Sequence, residues 1–282
     1  MRVLTVYLKN HTLECAKRVC DTLEKCGAES ELFALSDGYG ELYDNDFFKR
    51  ADSSDIVIAV GGDGTIIHTA KSAAKLSKPV LGINSGHVGF TAGLESGELK
   101  LLSRLIKGDF RIENRMLLSV DVKNKATDEH LYSEYALNEA VISRGSVAKT
   151  ADLLVSINSC APINYRADGV IAATPTGSTA YSLSAGGPVL DPEINGIVFT
   201  PLCPHSINSR SIVMGGDSVI AIESAENSRC KAFLCVDGEG AFDIENAVVT
   251  IKRADDAYVR LIRIKNDGFY DVFRKKILEN NL

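Results

Sequence analysis

Residues 55–74 set the strongest constraint on how this chain can fold. Asp55-Ile56-Val57-Ile58-Ala59-Val60 is a continuous apolar run after one charge, the pattern of a strand covered on both faces. Gly61-Gly62-Asp63-Gly64-Thr65 follows directly, and Ile66, Ile67, Ala70, Ala73 and Ala74 then recur at helical spacing. Pro79 ends that helix, and Val80-Leu81-Gly82-Ile83 reads as another buried strand. Upstream, Val3 to Tyr7 is a short β-rich run. Cys15, Val19, Leu23 and Cys26 share helical spacing and are stopped by Gly27, while residues 37–46, rich in Gly, Asp and Asn, read as a loop. Alternation of this kind predicts an α/β domain over 1–110, with a parallel sheet and right-handed crossovers.

Beyond 110 the rhythm changes. Strand-like runs follow one another at Leu117–Val122, Tyr135–Ser143, Leu153–Asn158, Gly169–Thr174, Ile197–Pro201, Val219–Glu223, Ala232–Val236, Val248–Lys252 and Tyr258–Ile264, with one helix expected near Thr179–Ala185. This predicts a β-rich second domain over 111–264. The tail, 265–282, places Phe269, Val272, Phe273 and Ile277 at helical spacing and is expected to form a helix that packs back on the first domain. A chain of 282 residues is long enough for two such domains.

Composition narrows the function. The net charge is −6 with no long basic stretch to offset it, so nucleic acid is not the expected partner. An acidic chain that binds polyanions must do so locally, through backbone N–H groups, a metal and a few cations. The seven cysteines form no C-x-x-C pair, and their odd number in a chain of this size argues for reduced thiols packed as small apolar residues. The start lacks a signal-peptide layout and no 18-residue apolar run exists, so the expectation is a cytoplasmic protein without a membrane span.

Four segments carry chemistry. The 61–65 turn sits between a buried strand and a helix, where unpaired N–H groups and the positive dipole end suit phosphate and glycines let it come close. Asp63, in the middle of it, either binds a metal or takes a proton from an attacking hydroxyl, or else caps the helix. The spacings of the Walker A and G-x-G-x-x-G loops are both absent. Thr174-Pro175-Thr176-Gly177-Ser178-Thr179-Ala180-Tyr181-Ser182-Leu183-Ser184 follows a strand and opens a helix, rich in hydroxyls with one flat aromatic face; it reads as a binding wall or as a Ser/Thr-rich turn. Gly82-Ile83-Asn84-Ser85-Gly86-His87-Val88-Gly89-Phe90 is a third glycine-rich strand exit. Asn138-Glu139 interrupts a strand-like run; an amide beside a carboxylate suits a ribose diol or an adenine edge, or is simply an exposed strand end.

Together these segments resemble the NAD kinase family. GGDGT at 61–65 is shared with diacylglycerol-type lipid kinases and phosphofructokinases. Its combination with GINSGHVGF at 82–90, Asn138-Glu139, Arg166-Ala167-Asp168-Gly169, TPTGSTAYSLSAGGP at 174–188 and Thr200–Ser206 is far more specific. The resemblance covers roughly 55–240. It implies a Rossmann-like, phosphofructokinase-like first domain, and transfer of a phosphoryl group from ATP, another triphosphate or polyphosphate to the 2′-hydroxyl of the adenosine ribose of NAD.

Residue by residue, the resemblance implies that Asp63 accepts the hydroxyl proton, Gly64 lies against the dinucleotide and His68 sits near its phosphates. Asn138 and Glu139 contact the adenosine, Lys149, Arg166 and Asp168 line the NAD site, in part from a neighbouring subunit, and Thr179, Ala180, Tyr181, Ser182 and Ser184 form the wall on which the dinucleotide rests. It further implies Mg²⁺ arriving with the triphosphate and a homodimer or homotetramer. Taken singly, His68 also reads as a packed or surface helix residue, Lys149 as a solvated charge and His205 as structural. Asp237-Gly238-Glu239 departs from the family, which often has Gln at the last position. The alternatives are a lipid kinase using the same loop, for which no greasy groove or basic membrane-facing patch is evident, and a dinucleotide sensor without turnover, which would have no need to keep Asp63.

Overall fold

The computed structural model describes residues 1–8, 12–35, 45–85 and 90–274. They divide into two compact units, Met1–Arg115 with Ala257–Leu282, and Met116–Asp256. The chain runs β1 (Arg2–Leu8), α1 (Leu13–Lys25), β2 (Glu29–Leu35), α2 (Asn45–Asp52), β3 (Ile56–Gly61), α3 (Asp63–Ala74), β4 (Pro79–Asn84), β5 (Leu94–Glu95) and α4 (Leu102–Ile106). It continues β6 (Arg111–Asn124), β7 (His130–Ala136), β8 (Glu139–Arg144), β9 (Ala151–Ile157), β10 (Ile163–Ala167) and β11 (Gly169–Ala173). After α5 (Tyr181–Ser184) come β12 (Gly196–Leu202), β13 (Ile212–Gly215), β14 (Ile220–Ser224), β15 (Ala232–Val236), β16 (Glu239–Asp243), β17 (Ala247–Arg263) and α6 (Phe269–Phe273).

In the first unit β1 pairs in parallel with β2 and β3, β3 with β4, and β4 with the end of β17 through Arg260 and Leu261. Every residue of β3 is buried, as the unbroken apolar run requires. Ile56, Ile58 and Val60 face Ala16, Val19 and Leu23 of α1 together with Leu102 and Leu105 of α4. α3 packs on β3 and β4. The parallel α/β arrangement expected from the strand–helix rhythm is therefore present, with α2 and α4 as helices that the periodicity alone did not mark. The 37–46 loop falls largely outside the described residues, and Asn45 and Asp46 open α2.

The second unit stacks two antiparallel sheets. One has the order β13-β12-β11-β8-β15-β16. In the other, β9 pairs with β10 and β14, β14 with the first part of β17, and β6 with β7. Alternate residues of both sheets fill the core between them: Leu118, Val120, Ile142, Leu153, Val170, Phe199, Ile222, Leu234 and Val249 are all buried there. The intervening residues of β8, β11 and β12 are buried too. Val141, Ile171, Ala173 and Val198 lie under Leu190 and Ala185, so the segment after β11 covers the outer face of that sheet. Two covered faces explain why β11 and β12 read as continuous apolar runs instead of alternating.

Several expected strands are cut differently. The Tyr135–Ser143 run is two strands, β7 and β8, interrupted at Leu137 and Asn138. The runs at 248–252 and 258–264 are one strand, β17: Asp255 and Asp256 are exposed, and no Gly or Pro breaks the chain there. β2, β10, β13 and β16 are not among the expected strands; each lies at an end of its sheet's strand order and leaves much of its surface exposed. The helix expected near Thr179–Ala185 is a 3₁₀ turn, Gly177–Thr179, and then α5, broken at Ala180. The tail forms α6, with Gly268 N–H donating to Asp271 Oδ2 at 2.9 Å and the Phe269 ring 6.3 Å from Phe90; Ile277 lies outside the described residues. No helix among the described residues is long and apolar enough to cross a membrane.

Phe199 sits fully buried between the two sheets of the second unit, with Tyr165 edge-on at 5.4 Å. Phe199→Ala should destabilise the protein by about 3–5 kcal/mol through lost burial and a cavity, measured as a lower urea midpoint with an unchanged slope.

Candidate active site

In the first unit β3 ends at Gly61 and α3 begins at Asp63, with Gly62, in extended conformation, as its N-cap. A glycine has no side chain to cap with, so the first-turn N–H groups receive no side-chain partner at that end. This is the anion-binding geometry of a helix start. Asp63 is the first helical residue and not the N-cap, so the capping alternative does not describe it. Its carboxylate is exposed, and Thr91 Oγ1 donates to Asp63 Oδ1 at 2.7 Å. His68 lies further along α3 with 6% of its surface exposed. Of the third glycine-rich segment, Asn84 is buried and its Nδ2 donates to Glu95 Oε2 at 3.0 Å; residues 86–89 lie outside the described residues.

In the second unit the break between β7 and β8 is built around one carboxylate. Leu137 N–H donates to Asp237 Oδ2 at 2.8 Å, and the N–H groups of Asn138 and Glu139 donate to Asp237 Oδ1 at 2.8 and 3.0 Å. The Asp237 N–H returns a bond to Glu139 O at 2.9 Å. Asp237 and Gly238 form the β15–β16 turn with φ of 49° and 81°. On the other side, Thr174 N–H donates to Asn138 O at 2.8 Å and Thr174 Oγ1 donates to Leu137 O at 2.5 Å. Gly177 packs so closely that a Cβ there would stand 2.0 Å from Asn138 O. Asn138 and Glu139 are thus clamped between two turns.

Glu139 is 7% exposed, and its Oε2 is buried without a hydrogen-bond partner. Burial, with the nearby Asp237 charge, pushes its pKa up to about 8, against the pull of a Tyr181 N–H bonded to the carboxylate. At pH 7 Glu139 therefore holds a proton, and it presents a polar edge that nothing in the protein satisfies. Buried polar atoms of this kind cost free energy unless something pairs with them.

Hydroxyls of the 174–184 segment turn inward. Ser178 Oγ donates to Pro175 O at 2.6 Å and accepts Leu190 N–H at 2.9 Å; Thr179 Oγ1 donates to Thr176 O at 3.1 Å; buried Ser182 Oγ and Thr200 Oγ1 are 3.1 Å apart. Ala180 is half-buried, while Tyr181, 47% exposed, and Ser184 face outward. Tyr181 lines a cavity of about 450 Å³ with Arg144, Val147, Asp168, Leu202 and Cys203. Arg144 grips Asp168 with both arms, Nε to Oδ1 at 2.7 Å and Nη2 to Oδ2 at 3.2 Å. Arg166 points elsewhere, its Nε donating to buried Asp152 Oδ1 at 2.8 Å, and Lys149 is exposed.

In the second unit Tyr181 links two places: its N–H bonds the Glu139 carboxylate, and it lines the cavity with Asp168. Asn138 and Glu139 stand at the opposite end of the β8–β11 pair from Asp168, and neither they nor Lys149 and Arg166 line that cavity. Asp63, Gly64 and His68 belong to the first unit. Sequence reasoning missed Asp237 and Arg144. For Asp237 a signal existed, since Asp-Gly between two apolar runs marks a hairpin; Arg144 has no sequence signature. Among the described residues no group of three or more His, Cys, Asp or Glu is arranged to hold a metal ion.

The state of Glu139 has a consequence for stability. Its ordinary value is 4.5 and its folded value about 8, so between these the folded chain holds a proton that the unfolded chain has released. Stability contributed by this group is lost as pH rises through that window, by at most about 1.4 kcal/mol per pH unit for one proton. Glu139→Gln should flatten the fall in melting temperature between pH 5 and pH 8; an equal fall in both proteins would contradict the raised value.

Residues 6–110 match the family model for the ATP-NAD kinase N-terminal domain, and residues 137–264 match that for the C-terminal domain. The chain is 40% identical over 276 residues to a protein named NAD kinase from Caldanaerobacter subterraneus subsp. tengcongensis, covering 96% of each. It is 45% identical over 225 residues to one from Symbiobacterium thermophilum, covering 79% of this chain and 78% of that one. Among solved structures it is similar to an NAD kinase from Archaeoglobus fulgidus in complex with ATP, with a TM-score of 0.74 and 25% identity, covering 98% of this chain and 97% of that one. The fold is shared with yeast NADH kinase complexed with NADH, with a TM-score of 0.82 at 22% identity, covering 100% and 88%. The chain belongs to the NAD kinase family.

Proposed function

We propose that this chain transfers the terminal phosphoryl group of ATP to the 2′-hydroxyl of the adenosine ribose of NAD, with Asp63 as proton acceptor. The observation that carries the reading is the exposed Asp63 carboxylate, held at one oxygen by Thr91 and placed in the first turn of a helix whose N–H groups have no side-chain cap. The ribose oxygen attacks the γ-phosphorus, the bond from that phosphorus to the ADP oxygen breaks, and the hydroxyl proton passes to Asp63. Such transfers leave a protein mainly alignment, charge neutralisation and proton acceptance.

The remaining roles follow the chemistry of each group. Asn138 and Glu139 take the adenosine, where the unsatisfied Glu139 Oε2 offers a hydrogen bond. Asp168 and Tyr181 line the cavity of the second unit. Thr179, Ala180 and Ser184 give the dinucleotide a surface to rest on in that unit, and Gly64 is the ligand-facing residue beside Asp63 in the first. Buried Ser182 supports that surface from beneath, and His68 does the same for the turn. Lys149 and Arg166 act through a neighbouring subunit in a homodimer or homotetramer. Mg²⁺ would come bound to the triphosphate and would neutralise part of its charge. ATP and NAD are both held in the cytoplasm, the compartment that suits these substrates. Matches to both NAD kinase domain models favour this reading over the lipid-kinase and sensor alternatives.

Two measurements test this. Asp63→Asn keeps the shape and loses the basicity; kcat should fall by about 10² to 10⁴ with NAD binding and melting temperature retained, and near-normal turnover would remove the proton-acceptor role. Dilution below the assembly range should lower specific activity. A flat specific activity while light scattering reports monomer would show that Lys149 and Arg166 do not serve a neighbouring site.

A further inference from the structure

Arg263, at the end of β17, is nearly enclosed in the first unit, its side chain 13% exposed. Its Nε donates to Glu113 Oε2 at 3.0 Å, and Arg115 Nη2 shares the same oxygen. Burial alone would raise the Glu113 carboxyl, yet the Arg263 and Arg115 charges and hydrogen bonds outweigh it and hold the group down at about 2. The other arm of the guanidinium is spent on backbone: Arg263 Nη1 donates to Ala92 O at 2.6 Å and Thr91 O at 3.3 Å, and Nη2 to Phe90 O at 3.3 Å. Three successive carbonyls converge on one planar, rigid fork. The next residue, Gly93, is wedged so tightly that a Cβ would stand 2.8 Å from both Ile262 O and Leu81 Cδ1, and its N–H donates to Gly82 O at 2.9 Å.

The purpose of fixing residues 90–93 so firmly is visible in what they hold. Thr91 is 5% exposed, and its hydroxyl donates to Asp63 Oδ1 at 2.7 Å while the Asp63 side chain itself is open to solvent. An exposed carboxylate at a helix start has several rotamers open to it. One donor on a fixed backbone selects among them and leaves the second oxygen, Oδ2, to face an incoming hydroxyl. We propose that Thr91 is a positioning residue for Asp63, and that Arg263, anchored on Glu113, is the brace that fixes Thr91. This rests on Asp63 being the proton acceptor; neither Thr91 nor Arg263 touches the reacting atoms.

The test is a kinetic cycle on the full chain with ATP, Mg²⁺ and NAD. Thr91→Val keeps the shape and removes the donor. Its kcat should fall about tenfold, a charge-assisted hydrogen bond lost at a solvent-facing group, while KM for NAD stays within about twofold. Thr91→Ser should restore most of the rate, which a purely structural role of the methyl group would not allow. Arg263→Lys keeps the charge and loses the fork, and should lower kcat in the same sense by a smaller factor. In an Asp63→Asn background, Thr91→Val should have no further effect, since coupled groups are not additive. Melting curves accompany each variant, and Thr91→Ala replaces the valine if that protein does not fold. Wild-type turnover in folded Thr91→Val, beside an impaired Asp63→Asn, overturns the positioning role and leaves the proton acceptor standing. So does a Thr91→Val loss that persists undiminished without Asp63, or no rescue by serine. Normal turnover in Asp63→Asn removes the reading on which the proposal rests.

Discussion

One carboxylate carries the break between β7 and β8 in the second unit. Where β7 gives way to β8 the ladder is interrupted, and the N–H groups of Leu137, Asn138 and Glu139 must find partners elsewhere or remain costly. Asp237 takes all three from the β15–β16 turn. The interruption releases Asn138 and Glu139 from strand geometry, and Thr174 and Gly177 close on it from the opposite side. Remove that acceptor and three N–H groups lose their partner at once, leaving the Asp237 N–H, and Thr174 from the opposite side, to hold the break. The family resemblance drew attention to Glu239, at the far end of the same turn; the weight falls on the residue two places earlier.

What the sequence made legible follows from how each element is buried. β3 and β4 are covered on both sides and therefore uninterrupted in apolar character, and the helix after the Gly61-Gly62 turn has an apolar stripe. β10 and β16 could not be read, because each is an edge strand of its sheet and alternates weakly with exposed polar residues. The single strand β17 read as two because Asp255 and Asp256 resemble a turn by composition, although no backbone turn follows. In the site, Asp63 and the Asn138-Glu139 pair were legible as residue types in telling places. The partners that give them their properties were not: Thr91 lies 28 residues from Asp63 and Asp237 lies 98 from Glu139, and local pattern carries no trace of such pairings.

The two carboxylates show how differently one chemical group can be set. Asp63 is open to water and gripped by a single hydroxyl. Glu139 is enclosed beside another acid and holds its proton to about pH 8. A solvated carboxylate can take a proton during a reaction. An enclosed, protonated one can offer a hydrogen to a ligand acceptor, or take one from a ligand hydroxyl on its other oxygen. Neither behaviour is written in the residue name; burial and the nearest neighbours decide it.

The hydroxyl-rich segment after β11 has a thermodynamic meaning as well. The hydroxyls of Thr174, Ser178 and Thr179 bond backbone and that of Ser182 pairs with Thr200 before any ligand arrives, and Leu190 anchors the far end on the outer face of the sheet. The chain there has already surrendered its conformational entropy on folding, so a ligand that settles on Tyr181 and Ser184 meets a surface that needs no ordering. Affinity at such a preorganised surface is set by the contacts made and the water displaced. Discrimination between ligands of similar shape then falls to the few polar atoms left unpaired, of which Glu139 Oε2 is one.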